Sequence, residues 1–274
     1  MWGLIRGNPD GWTSPGVIAA LALGVSLLVA FVVWERRAPA PMLPLRFFRR
    51  RAFSMANLAS LLMYFGMFGS IFLLAQFLQV VQGYSPFQAG LRVLPWTIAP
   101  IFVAPIAGAL SDRVGGGLLM GAGLSLQAFG LAWLAAVASP TVPYTQLIVP
   151  FLVSGIGMGL FFAPVANVVL SAVRPQEEGQ ASGANNAIRE VGGVFGVAVL
   201  ASVFSRVGGY ASPQAFVDGL QAAVLVGAVV VAFGAAASFA VPRLRRSAAL
   251  ELAPLPEMGG QPGEPEPVYV SVDG

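Results

Sequence analysis

The chain contains no cysteine and no histidine, and each of its 15 basic residues is arginine, so lysine is missing as well. Each absence removes a class of chemistry. Without Cys or His there is no thiolate–imidazole pair, no Ser–His arrangement, no ordinary zinc site and no haem ligand. Without Lys there is no Schiff base, hence no retinal or pyridoxal chemistry, and no phosphate-binding loop of the Gly-Lys-Ser type. No metal, no cofactor, no nucleic-acid partner and no enzymatic activity are expected. Charge of either sign is also scarce, at 10% of residues, where a soluble domain carries about 25%.

What is present is apolar. Of 274 residues 57% are hydrophobic, and mean hydropathy is +0.77. An all-α integral membrane protein follows. Windows of about 20 apolar residues cross a hydrocarbon core of about 30 Å, and seven are found, at 16–34, 52–80, 89–110, 117–138, 146–173, 182–204 and 218–241. The links between them carry loop formers: NPDG, SPT, RPQEEG and ASPQ. Arg36, Arg37, Arg46, Arg49, Arg50, Arg51, Arg113, Arg174, Arg189, Arg243, Arg245 and Arg246 lie at one set of span ends, against Arg6, Arg92 and Arg206 at the other. Positive charge is retained on the cytoplasmic side, so the C-terminus is expected inside a cell membrane and residues 1–15 outside. Residues 35–51 read as an Arg/Pro-rich cytoplasmic linker, and 242–274, rich in Pro and Glu, as a disordered cytoplasmic tail.

With span 16–34 set aside, six spans over 52–241 fall into two sets of three. Each set opens with an aromatic and polar helix, continues with one rich in Pro or Gly, and ends with a plain Ala/Leu/Val helix. The first helix of one set runs outward and that of the other inward, which makes the sets inverted, a recurring construction of secondary transporters.

Four stretches in this order, WERRAPAPMLPLRFFRRRAF, GYSPFQAGLRVLP, GALSDRVG and GIGMGLFFAPVANVVLSAVRPQEEGQASGANNAIREVGG, resemble the fourteen-helix drug:proton antiporters of the major facilitator superfamily. The resemblance covers one central extra helix and the six-helix C-terminal bundle. It implies efflux of small hydrophobic or cationic compounds against protons, by alternating access between this bundle and an N-terminal six-helix bundle that the chain does not include. The companion belongs to the same gene or to a split partner, and the chain is expected to be inactive alone. A seven-span scaffold or sensor that transports nothing is the alternative of a different class. An intramembrane hydrolase has little room without His, Lys or a mid-membrane Asp pair.

GALSDRVGGG, at 108–117, reads as a short cytoplasmic turn. Gly108 and Gly115 permit tight turning. Asp112 is expected just before the next helix, capping its free N–H groups, with Arg113 free to pair across the bundle as a gating latch. The superfamily resemblance implies that the first helix of each set lines the central cavity. In 52–80, residues Asn57, Phe65, Phe68, Phe72, Gln76 and Gln79 fall close to one face, with Tyr64 on its flank. Aromatic rings bounded by amides suit a lipophilic cation, although packing against lipid or a neighbour is the commoner fate of any one Phe. In 146–173, Phe151, Ser154, Met158 and Phe161 or Phe162 share a face, while Gly155 and Gly159 form a GxxxG packing pair. In 182–204, Ser182, Asn185, Arg189, Gly192 and Gly196 form one stripe at a helix interface. Arg189, about two turns in, is either functional or snorkels to the surface and pairs with Glu190 or Glu178. No Asp or Glu is placed at mid-depth, so the proton-coupling carboxylate is expected in the companion half.

Overall fold

The computed structural model describes residues 11, 13–37, 41 and 43–242, apart from the Asp112 side chain. The expected external segment 1–10, part of the linker and the expected disordered tail from 243 onward lie outside the described residues. Among the described residues, seven helices are long and apolar enough to cross a membrane: α1 (Pro15–Arg37), α2 (Arg51–Gln76), α3 (Pro86–Val114), α4 (Gly116–Val137), α5 (Tyr144–Ser171), α6 (Glu178–Val207) and α7 (Pro213–Phe239). A π-helical turn, Phe77–Val81, prolongs α2, with the Gln82 N–H donating to the Phe77 carbonyl at 3.1 Å.

Local sequence explains where these helices start. Ser-Pro opens both α3 and α7. The Ser85 hydroxyl accepts from the Gln88 N–H (3.3 Å) while the Gln88 side chain accepts from the Ser85 N–H (3.2 Å). That reciprocal pair satisfies two otherwise free polar groups, and Pro86 occupies the position where a missing N–H costs nothing. Ser212 caps α7 with a single bond, its hydroxyl accepting from the Ala215 N–H at 3.1 Å. At the other end of the bundle, α6 begins four residues earlier than its apolar run, because the turn Pro175–Glu177 leads directly into it.

Two helix pairs run parallel and pack closely: α2 against α6 and α3 against α5. Two more are antiparallel, α4 with α5 and α2 with α7, while α4 and α7 close the back of the bundle. Exchanging α2 with α5, α3 with α6 and α4 with α7 maps each close pair onto another or onto itself. This is the two-fold relation of two inverted three-helix repeats. Lipid supplies no hydrophobic drive between helices, so their association rests on close van der Waals fit through small residues. At the α3/α5 contact, Pro100 has no N–H to give to the Trp96 carbonyl. That carbonyl faces Gly155 instead, where a Cβ would overlap it, and a Cβ on Gly159 would lie 2.7 Å from that of Val103. At the α2/α6 contact, Gly192 and Gly196 lie against the carbonyls of Leu61 and Phe65 in the same fashion.

Helix α1 stands apart. Leu23, Leu27, Leu28 and Trp34 are all exposed along it, as suits a helix whose neighbour is lipid. The linkers at the Arg-rich end are tied together: Arg46 pairs with Glu177, Arg50 donates to the Ala172 carbonyl, and Gln180 donates to the Pro41 carbonyl at 3.2 Å.

Candidate functional site

The face of α2 that periodicity selects is divided by its neighbours. Phe68 and Phe72 are 42% and 45% exposed, while Tyr64, Phe65, Gln76 and Gln79 are half-buried. Asn57, expected on the cavity face, is instead buried against α6. Its side chain donates to the Phe53 carbonyl (2.8 Å) and accepts from Asn185 (3.0 Å), and Asn185 also donates to the Ser60 hydroxyl at 3.0 Å. An amide that would be costly in lipid is satisfied by another helix. The other two amides also have partners. Gln76 accepts from the Tyr210 hydroxyl at 2.6 Å, and Gln79 donates back to the Ala75 carbonyl at 3.0 Å.

On α5 the expected face exists but points the other way. Phe151, Met158 and Phe161 are buried in the core, and Phe151 stacks on Trp96 of α3 with centroids 6.0 Å apart. Only Phe162 stays at the edge. There it meets Tyr64 edge-on at 6.2 Å, and Tyr64 stacks on Phe68 at 5.6 Å. One aromatic cluster thus draws on α2 and α5.

Arg189 fills that cluster. Because α6 starts at Glu178, Arg189 lies about three turns inside it rather than two. Its guanidinium carbon is 5.5 Å from the Tyr64 ring centroid and 6.0 Å from that of Phe162. The aromatic geometry expected to receive a cationic guest is occupied by a cation of the chain itself. Glu178 and Glu190, the expected partners, are both exposed, and the ion pair formed among the described residues is Arg46 with Glu177. Beside Arg189, the C-terminal part of α5 and the N-terminal part of α6 line a crevice of about 320 Å³.

Two features escaped the sequence. Ser60 completes the Asn57–Asn185 clamp, and its one-turn spacing from Asn57 was the available clue. Near the opposite end, Arg92 lies 3.6 Å from the Tyr84 ring centroid and 5.4 Å from that of Tyr144. The Tyr144 hydroxyl donates to the Arg92 carbonyl at 3.0 Å.

The turn at 108–117 is shorter than expected. Helix α3 continues through Asp112 and Arg113 to Val114, and Gly115 alone, at φ 102°, makes the reversal. Asp112 therefore belongs to the last turn of α3 and does not precede α4, whose first turn has no acid and no side-chain cap. Exposed Arg113 sits at the C-terminal end of α3, where a cation is favourable. A Cβ on Gly108 would lie 3.3 Å from that of Ala163, which places Gly108 on the α3/α5 contact.

Known proteins share this sequence pattern. The family profile described as Major Facilitator Superfamily matches residues 7–197. The multidrug resistance protein Stp of Mycobacterium tuberculosis is 34% identical over 205 residues, which is 75% of this chain and 38% of that protein. The methylenomycin A resistance protein of Streptomyces coelicolor is 33% identical over 73% of this chain and 42% of its own length. For the cephamycin export protein CmcT of Amycolatopsis lactamdurans the figures are 34%, 73% and 42%. The chain spans about two fifths of these relatives. With its inverted three-helix sets and this match over most of its length, the chain belongs to the Major Facilitator Superfamily, a family of membrane transporters.

Proposed function

We propose that the chain is the C-terminal half of a secondary active efflux transporter, which exports small lipophilic compounds by proton-coupled antiport and alternating access. The observation that carries this reading is the open face of the bundle. Phe68 and Phe72 of α2 and Phe195 of α6 are exposed beside the half-buried Tyr64, Phe162 and Arg189. Such a surface suits the wall of a cavity completed by a second bundle, either part of the same polypeptide or a separate one. Relatives named for multidrug resistance and antibiotic export support the substrate class. The chain's own guanidinium in the aromatic cluster argues against a cationic cargo at that place.

In this reading the Arg-rich end is cytoplasmic, in a cell membrane, and the turn at Gly108–Gly115 belongs to the cytoplasmic gate. Residues 16–34 are the extra helix, 35–51 the linker and 52–241 the transport bundle. Within the spans, the acids beyond the end turns are Glu190, exposed on α6, and Asp218, one turn into α7. Glu190 lies as deep in α6 as Arg189; this reading nevertheless keeps the coupling carboxylate in the companion half. The test is dye accumulation in efflux-deficient bacteria expressing the chain alone, or together with the N-terminal six-helix half of Stp. Lowered accumulation, reversed by a protonophore, is expected only with both halves. Export by the chain alone contradicts the reading.

A further inference from the structure

The crevice between α5 and α6 has two unlike walls. Ala166, Val169 and Leu170 of α5 form an apolar one; Ser182, Asn186 and Arg189 of α6 form a polar one that carries a single fixed positive charge and no acid. The volume, about 320 Å³, is at the small end of the range for ligand pockets, roughly 300–1,000 Å³. The charge at its inner end is incompletely served. Tyr64 and Phe162 hold the guanidinium by their faces, but its Nε is buried and lacks a hydrogen-bond partner. The Tyr64 hydroxyl is also within hydrogen-bonding reach of Arg189, yet the buried Nε–H keeps unfilled bonding capacity in a low-dielectric place. Glu178 and Glu190 are exposed, and Glu177 is taken by Arg46.

We propose that this crevice binds a small amphipathic monocarboxylate. Its carboxylate engages the Arg189 guanidinium through paired N–H donors, the geometry in which arginine recognises carboxylates. Its apolar body lies along Ala166, Val169 and Leu170, with Asn186 and the Ser182 hydroxyl beside it. A permanent cation meets like charge at Arg189 and is rejected. A dianion brings more charge than one guanidinium neutralises. The inference rests on the proposed transport reading and names the substrate class of that same face. The aromatic rings then have a different task from caging a guest: they fix the direction of Arg189, so that little ordering is left to be done on binding.

The test is equilibrium binding of three probes with one ring system to the purified chain in lipid nanodiscs: 2-naphthoate, 2-naphthylmethanol and 2-naphthylmethylammonium. Naphthoate is expected to bind at least tenfold more tightly than the ammonium probe. Arg189→Gln is expected to remove that preference and leave the alcohol unchanged, and Arg189→Lys to keep part of it, having charge without the planar fork. Gly183 lines the crevice, and a Cβ there meets nothing within 4 Å. Gly183→Leu is therefore expected to keep the fold and obstruct all three probes, which covers the case in which the Arg189 variants fail to fold. Equal affinity for the charged probes, or tighter binding of the ammonium, overturns the carboxylate assignment while leaving the transport reading standing. Binding of none of the three overturns the transport face as well.

Discussion

The two parallel helix pairs occupy equivalent places in the inverted repeats, and they are built from opposite materials. The α3/α5 pair is dry and aromatic, with Trp96 stacked on Phe151 and Gly155 seated against the carbonyl that Pro100 leaves unpaired. The α2/α6 pair is joined by the amides of Asn57 and Asn185 and the hydroxyl of Ser60, and carries Arg189 at its edge. The close glycines also differ in place. Gly155 in one pair and Gly192 and Gly196 in the other all belong to the second set, on its first helix, α5, and its second helix, α6, respectively. One backbone plan thus yields a scaffold on one side and a polar, ligand-capable edge on the other. Symmetry fixes where helices lie, and chemistry is free to diverge within it.

The comparison breaks most visibly on the dry side. Phe151→Ala removes a fully buried ring and is expected to cost about 3–5 kcal/mol, read as a loss of thermal stability in detergent. Gly196→Val forces a side chain into the Phe65 carbonyl, at about 3 kcal/mol. Asn185→Leu is next: it strands the Asn57 carbonyl oxygen and leaves Ser60 without its donor, at about 1–3 kcal/mol. Arg92→Gln is expected to be mildest, about 1 kcal/mol or less, because Arg92 lies near a helix end where water replaces the ring contacts. If Asn185→Leu exceeds Phe151→Ala, the assignment of scaffold and polar edge is reversed.

Much of this fold is written in the sequence. Apolar run lengths locate all seven spans, Ser85-Pro86 and Ser212-Pro213 mark helix starts, and the Gly155/Gly159 spacing marks a close contact. Direction is what the pattern withholds. Periodicity puts Phe151, Met158 and Phe161 close together on α5, yet in a membrane such a face can meet lipid, cavity or a neighbouring helix, and here all three are buried, with Phe151 against Trp96 of α3. Asn57 misled for the same reason, since its partner is 128 residues away. Asp112 misled because one glycine with positive φ accomplishes a reversal that composition spreads over ten residues. The rings around Arg189 come from two other helices, and no local signal announces them.

The central claim is that α2 and α6 run parallel in the register that brings Ser60 to Asn185 and Arg189 to Tyr64. A chain with no native cysteine allows this to be tested directly, by oxidative cross-linking of the double variant Ser60→Cys/Asn185→Cys in membranes. Ready disulfide formation is predicted, with little or none for Ser60→Cys/Asn186→Cys, because residue 186 is exposed on α6. Equal cross-linking of the two pairs, or a preference for the second, contradicts the account.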